Sequence, residues 1–227
     1  LKPHIDPAIW QLCPDFMALS IRVQGVRNRD SDDASKASLA ASCLVRPDWA
    51  EAHLAAWQDA YRAFGAKPNR TPCSAEALRK RALRGGSLPA INAVVDLYNA
   101  TSVAFTVPVG GEDLETYRGV PRLLRASGQE SFVTVKEGEP ANEAPEVGEV
   151  VWADDEGVTC RRWNWRQGSR TRVTLGSHDI WFVIERLAPM PVSALKEAGA
   201  TLIDGLRAMT PGIRVDSILI TPHGSAA

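Results

Sequence analysis

Asn92, Asp96 and Asn99 stand at i, i+4 and i+7, one stripe of an α-helix, in a segment (LPAINAVVDLYN) that is otherwise largely apolar. Amides and a carboxylate so placed can hold a polar ligand by hydrogen bonds. They can equally cap loops or bond interior backbone groups. A second segment, Cys160 to Gly168 (CRRWNWRQG), interleaves arginine with tryptophan. Read as a strand, it puts Trp163 and Trp165 on one face with Arg161. Arg162, Asn164 and Arg166 take the other. Arginine beside exposed aromatics suits phosphate contact and base stacking. The alternative is a tryptophan pair in the core, with the arginines paired to an acidic loop. A third segment, SAEALRKRALRGG, gathers Arg79, Lys80, Arg81 and Arg84 at the end of a short helix. These cations either complement the helix dipole or contact a phosphate backbone. In a fourth, VPVGGEDL, Gly110 and Gly111 make a hairpin turn or let the backbone approach a ligand.

Other chemistries find no support. Cys13, Cys43, Cys73 and Cys160 are scattered, as are His4, His53, His178 and His223, so neither a zinc site nor a cofactor is expected. The sequence has no P-loop, dinucleotide fingerprint, nucleophile elbow or zincin helix. Leu1 to Trp10 shows no basic cap followed by an apolar stretch, so no signal peptide is expected. With the thiols read as reduced, the expectation is a cytoplasmic protein with no membrane partner.

The elements that must position these residues follow from periodicity. The chain has 227 residues, a net charge of -1, 44% hydrophobic and 23% charged residues, a globular composition with no general polyanion-binding surplus. Phe16 to Val26 alternates as a strand, and Arg27 to Ser38 reads as a loop. Pro47 opens a helix through Phe64, with Trp49, His53, Trp57 and Tyr61 on one face. Ser74 is the expected N-cap of a helix over 75–84, stopped by Gly85 and Gly86. Pro89 opens the next helix, to about Asn99. The pattern then turns to β from Ser102, with strands near 122–126, 131–135, 150–154, 158–166 and 180–184. Glu137 to Glu149 reads as a solvated loop. A helix over 192–209 and a strand over 215–220 follow. Helices early and strands late predict an α+β fold.

Taken in order, LPAINAVVDLYN, VPVGGEDL and GEVVWADDEGVTCRRWNWRQG resemble the stand-alone B3/B4-domain proteins, which are similar to the B3/B4 editing domain of the bacterial phenylalanyl-tRNA synthetase β subunit. The likeness covers about 71–187 and implies a single α+β module over 1–227, with a mixed β-sheet core and packed helices. It implies hydrolysis, in trans, of a mischarged or non-protein amino acid from tRNA, with a non-catalytic tRNA- or amino-acid-binding module as the alternative. Aminoacyl-tRNA is the implied partner, a synthetase a further one, and DNA is not. The family's V-D-x-x-N segment matches Val95, Asp96 and Asn99, which makes Asn99 the expected catalytic residue. Asn92, Asp96, Pro108, Gly110, Gly111, Trp163, Asn164, Gly168 and Ser169 are the expected pocket. Arg79, Lys80, Arg81, Arg84, Arg162 and Arg166 are the expected tRNA contacts. The family's pocket histidine falls on Gly110 and its tyrosine-sensing glutamate on Ser169, so tyrosine specificity does not carry over.

Overall fold

The computed structural model describes residues 1–85 and 88–226. The chain opens with β1 (His4–Ile5), α1 (Pro7–Leu12) and β2 (Met17–Gln24). Four helices follow: α2 (Asp33–Ser42), α3 (Ala50–Ala63), α4 (Ser74–Gly85) and α5 (Ala93–Phe105). Then come β3 (Val109–Asp113), β4 (Arg122–Arg125), β5 (Phe132–Lys136), β6 (Glu139–Glu143), β7 (Val150–Ala153), β8 (Val158–Arg161) and β9 (Arg166–Gln167). β10 (Asp179–Arg186), α6 (Val192–Met209), β11 (Arg214–Thr221) and β12 (Gly224–Ala226) close it. The fold is α+β.

One sheet runs β12-β11-β2-β10-β3 and is antiparallel throughout. A second runs β1-β4-β7-β8-β9, mixed because β1 and β4 are parallel. Alternation along β10 divides the core. Ile180, Phe182 and Ile184 pack with α5 and α6 residues such as Val94, Leu202 and Leu206. Trp181 and Val183 face the other way, onto Trp152, Trp163 and the α3 aromatics Trp57 and Tyr61. Trp163 meets both Phe16 and Trp57 edge-on at 5.1 Å. Among the described residues no helix is long and apolar enough to cross a membrane.

Several expected boundaries shift for physical reasons. The segment read as a loop after Arg27 holds the start of α2, capped by a reciprocal Asp32–Ser35 box. Pro47 lies outside α3, which begins at Ala50. Cys73, not Ser74, stands at the cap of α4, its carbonyl accepting from Ala77 N at 3.0 Å. Gly86, expected to stop that helix, lies outside the described residues. Pro89 does not open α5, which starts four residues later at Ala93 behind an Asn92 cap and continues through Phe105, where β-prone residues predicted a strand. Burial against α2 and α6 overrides that propensity. α5 ends on Thr106 in the left-handed region (φ 49), a cost of roughly 1–3 kcal/mol for a β-branched residue. Arg79 holds Thr106 Oγ1 at 2.7 Å, and His53 Nδ1 meets its carbonyl at 2.8 Å. Gly110 and Gly111 are strand residues opposite Val183 and Phe182, not a hairpin turn. Glu137 and Gly138, both at positive φ, turn β5 into β6 inside the expected acidic loop.

Candidate functional site

β3 is an edge strand, so groups can converge on it from three sides. Gly110 pairs with Val183 and Glu112 with Trp181, which puts Gly110, Glu112, Trp181, Val183 and Glu185 on one sheet face. Trp152, Cys160 and Gln167 of the second sheet, with the turn Trp163 to Trp165, stand opposite. The first turns of α4 (Ser74, Ala77, Leu78) and the Tyr98–Asn99 step of α5 close the third side. Together they border a half-open cavity of about 240 Å³, below the usual range for ligand sites and suited to an amino acid rather than a nucleotide. Gly111 admits this geometry: a Cβ there would stand 3.0 Å from Tyr98 Cε1.

Two carboxylates are buried in these walls, Glu185 at 1% and Glu112 at 4% exposure. Neither forms an ion pair among the described residues. Glu185 Oε1 accepts from both Trp152 Nε1 (3.0 Å) and Trp163 Nε1 (2.9 Å). Its Oε2 accepts from Asn164 Nδ2 at 3.0 Å, and the Tyr61 hydroxyl donates to Asn164 Oδ1 at 2.9 Å. Burial raises Glu185 to about 7 against these three donors. Glu112 Oε2 accepts from Gln167 Nε2 at 2.8 Å, and the same nitrogen donates to Gly111 O at 2.7 Å. The Thr171 hydroxyl neighbours Glu112 and has no hydrogen-bond partner among the described residues. Burial raises Glu112 further, to about 8. Burial also holds the Cys160 thiol well above its ordinary range, which makes it a poor nucleophile. The side chain of Asn99 makes no hydrogen bond among the described residues, so its amide is available to a ligand.

Of the expected pocket residues, Asn99, Gly110, Gly111, Trp163 and Asn164 meet at this cavity. The others stand outside its lining. Asn92 caps α5, accepting from Val95 N at 3.0 Å and Asn28 Nδ2 at 3.0 Å. Asp96 accepts from Ser31, Ser35 and Ile91 N, tying α5 to α2. The helical stripe is therefore divided, with only Asn99 reaching the cavity. The Pro108 carbonyl accepts from Glu185 N at 3.0 Å, so it positions Glu185 through the backbone. Gly168 packs under the Val133 carbonyl, and Ser169 N donates to that carbonyl at 2.9 Å. The segment expected to be one strand breaks after Arg161. Arg162 (φ 46) and Trp163 (φ 66) are both left-handed, which turns Trp163 into the core instead of alternating it with Arg162.

The expected RNA contacts also divide. Arg79 is buried, with its guanidinium on Thr106 and on Glu51 at 3.2 Å. It is thus removed from the surface where a phosphate would meet it. Lys80, Arg81 and Arg84 are exposed, and Lys80 pairs with Glu76 at 2.6 Å. Arg162 lies 4.6 Å from the Trp165 ring and pairs with Glu146 at 3.4 Å. Arg166 lies 5.9 Å from the same ring and 3.6 Å from Glu143. Glu112, Gln167, Glu185, Tyr98 and Trp152 went unforeseen in sequence. Glu185 did leave a signal: a carboxylate closing the apolar run IWFVIE, in phase with Trp181 and Val183.

The B3/4 domain family model matches residues 56–198. No curated protein matches the chain. Among solved structures, the chain is similar to an N-terminal fragment of the phenylalanyl-tRNA synthetase beta-subunit from Pyrococcus horikoshii, with TM-score 0.51 and 11% identity. The likeness covers 93% of this chain and 49% of that one, so the chain spans about half that fragment's length. At this identity the similarity concerns the fold.

Proposed function

We propose that this chain, which belongs to the B3/4 domain family, is an aminoacyl-tRNA deacylase acting in trans. The observation that carries the reading is the meeting of Asn99, the Gly110–Gly111 backbone, Glu112 and Gln167 at one small apolar cavity. An aminoacyl ester is already activated, so hydrolysis needs a positioned water and stabilisation of a developing oxyanion. The free Asn99 amide is suited to donate to that oxyanion. Its oxygen and Gln167 Oε1 are alternative acceptors for the α-ammonium. Glu112, once ionised, takes the proton from the attacking water. Its value near 8 lies close to working pH, where a general base is most effective. Trp165 lies between Arg162 and Arg166 and also lines the cavity, which suits stacking of a terminal base beside phosphate contacts. Arg81 and Arg84 lie on the side of α4 that carries Ala77 and Leu78 and extend that basic path, whereas Lys80 pairs with Glu76 in the groove between α3 and α4.

A binding module without hydrolysis is the second reading, favoured by Glu112 being mostly protonated at neutral pH. Aminoacyl-tRNAs carrying each protein amino acid and a set of non-protein ones separate the two. Multiple turnover on at least one, rising with pH toward about 9 after subtraction of the uncatalysed rate, supports the deacylase. Tight binding with no ester loss at any pH supports the module.

A further inference from the structure

None of the steps above uses Glu185. It lies four residues along β10 from Trp181, the partner of Glu112, about 13 Å at the usual rise of an extended strand. The cavity thus has two ends. Asn99, Gly111, Glu112 and Gln167 mark the end where the ester is cut. Glu185, Trp152, Trp163 and Asn164 mark the end that an amino-acid side chain would reach.

At that far end the protein is arranged for an anion. Both sites on Oε1 are taken by indole N–H donors, which cannot reverse to accept. The Tyr61 hydroxyl fixes the Asn164 amide with its nitrogen toward Oε2. One acceptor direction on Oε2 remains. A buried anion with no cation near it is costly, and no described lysine, arginine or histidine pairs with Glu185. Indole rings line the same cavity at Trp152, Trp163, Trp165 and Trp181. Such faces attract cations. A ligand hydroxyl would use the open acceptor but leave the charge unbalanced.

Resting on the deacylase reading for the site's two ends, we propose that the cavity selects an amino acid whose side chain ends in a positive charge, seated on Glu185 among the tryptophans. A straight stem of three or four carbons, as in ornithine or lysine, places an ammonium there. With no cation beside it, the open site of Glu185 holds a proton below about pH 7, and an arriving cation displaces it.

The test is calorimetric titration of the protein with L-lysine, L-ornithine, L-norleucine and L-tyrosine methyl esters. All share the same α-amino methyl ester, so ratios isolate the side chain. At pH 8 a cationic ester should bind about tenfold or more tighter than the norleucine ester. That ratio should shrink from pH 8 to 6, and Glu185→Gln should bring it close to one. Equal or tighter binding of the norleucine or tyrosine ester to the wild type overturns the inference, as does a preference that survives Glu185→Gln. If that variant does not fold, the wild-type pH dependence of the ratio decides: a ratio constant with pH overturns it. Hydrolysis of lysyl-tRNA and of neutral aminoacyl-tRNAs separates this inference from its premise. Charge-selective ester binding without hydrolysis of any aminoacyl-tRNA sustains the cation site and ends the deacylase reading. Hydrolysis of a neutral aminoacyl-tRNA with no charge preference does the reverse.

Discussion

Glu112 sits where burial and chemistry conflict. Folded, it keeps its proton to about pH 8, whereas the ordinary glutamate value is 4.5. The folded state binds the extra proton, so this group's stabilising effect is complete below about pH 4.5. It is lost as pH rises toward 8. Glu112→Gln removes that dependence. The variant should match the wild type near pH 5 and exceed it at pH 9 by on the order of 2–4 kcal/mol, read by urea denaturation at both values. Catalysis should move the opposite way, with deacylation falling by ~10²-fold because glutamine cannot accept the water's proton. Stability gained with activity lost is the behaviour of a group strained for function. An equal loss of both would make Glu112 a structural residue. The sequence hid it because GGED reads as turn chemistry, and only the pairing of Gly111 with Phe182 reveals a strand that buries its glutamate.

α4 carries two kinds of arginine that spacing alone could not separate. Arg79 holds the left-handed Thr106 at the end of α5, whereas Arg81 and Arg84 face solvent. Arg79→Ala should cost about 1–3 kcal/mol in denaturation and leave the salt dependence of tRNA binding unchanged. Reversing Arg81 and Arg84 to Glu should leave stability within about 0.5 kcal/mol. It should flatten the log–log salt slope by about one unit per lost phosphate contact. An unchanged slope would leave α4 a solvated face. Element types were legible where periodicity was strong, as in α3, α6 and β10. They were hidden where the side chains' own preferences pointed elsewhere. Thr101, Val103 and Phe105 favour strand but are helical because α2, α6 and β3 enclose them. Arg162 and Trp163 interrupt a strand pattern with two left-handed residues, a conformation that side chains of their type rarely adopt.

At the scale of the whole molecule, the α+β class and the approach of α5 to the tryptophan-rich segment were legible. Motif order carried them. The second sheet's route, with β1 parallel to β4 and the β5–β6 hairpin packed against β8, depends on long-range pairing that no local pattern encodes. The two sheets and α3 meet in a common aromatic core, and the cavity lies along its margin where edge strand β3 meets α4 and α5. Gly111→Ala tests that arrangement. The added methyl should displace the Tyr98 ring, lower stability by roughly 1–3 kcal/mol and raise KM for the ester substrate. The most direct measurement is the hydrolysis rate of the best aminoacyl-tRNA by the wild type and by Asn99→Ala, with tRNA affinity measured on the same samples. Turnover by the wild type and a loss of ~10²-fold in the variant are expected, with affinity nearly intact if phosphate contacts supply it. A folded Asn99→Ala protein that cleaves the ester at the wild-type rate would place the catalytic site elsewhere.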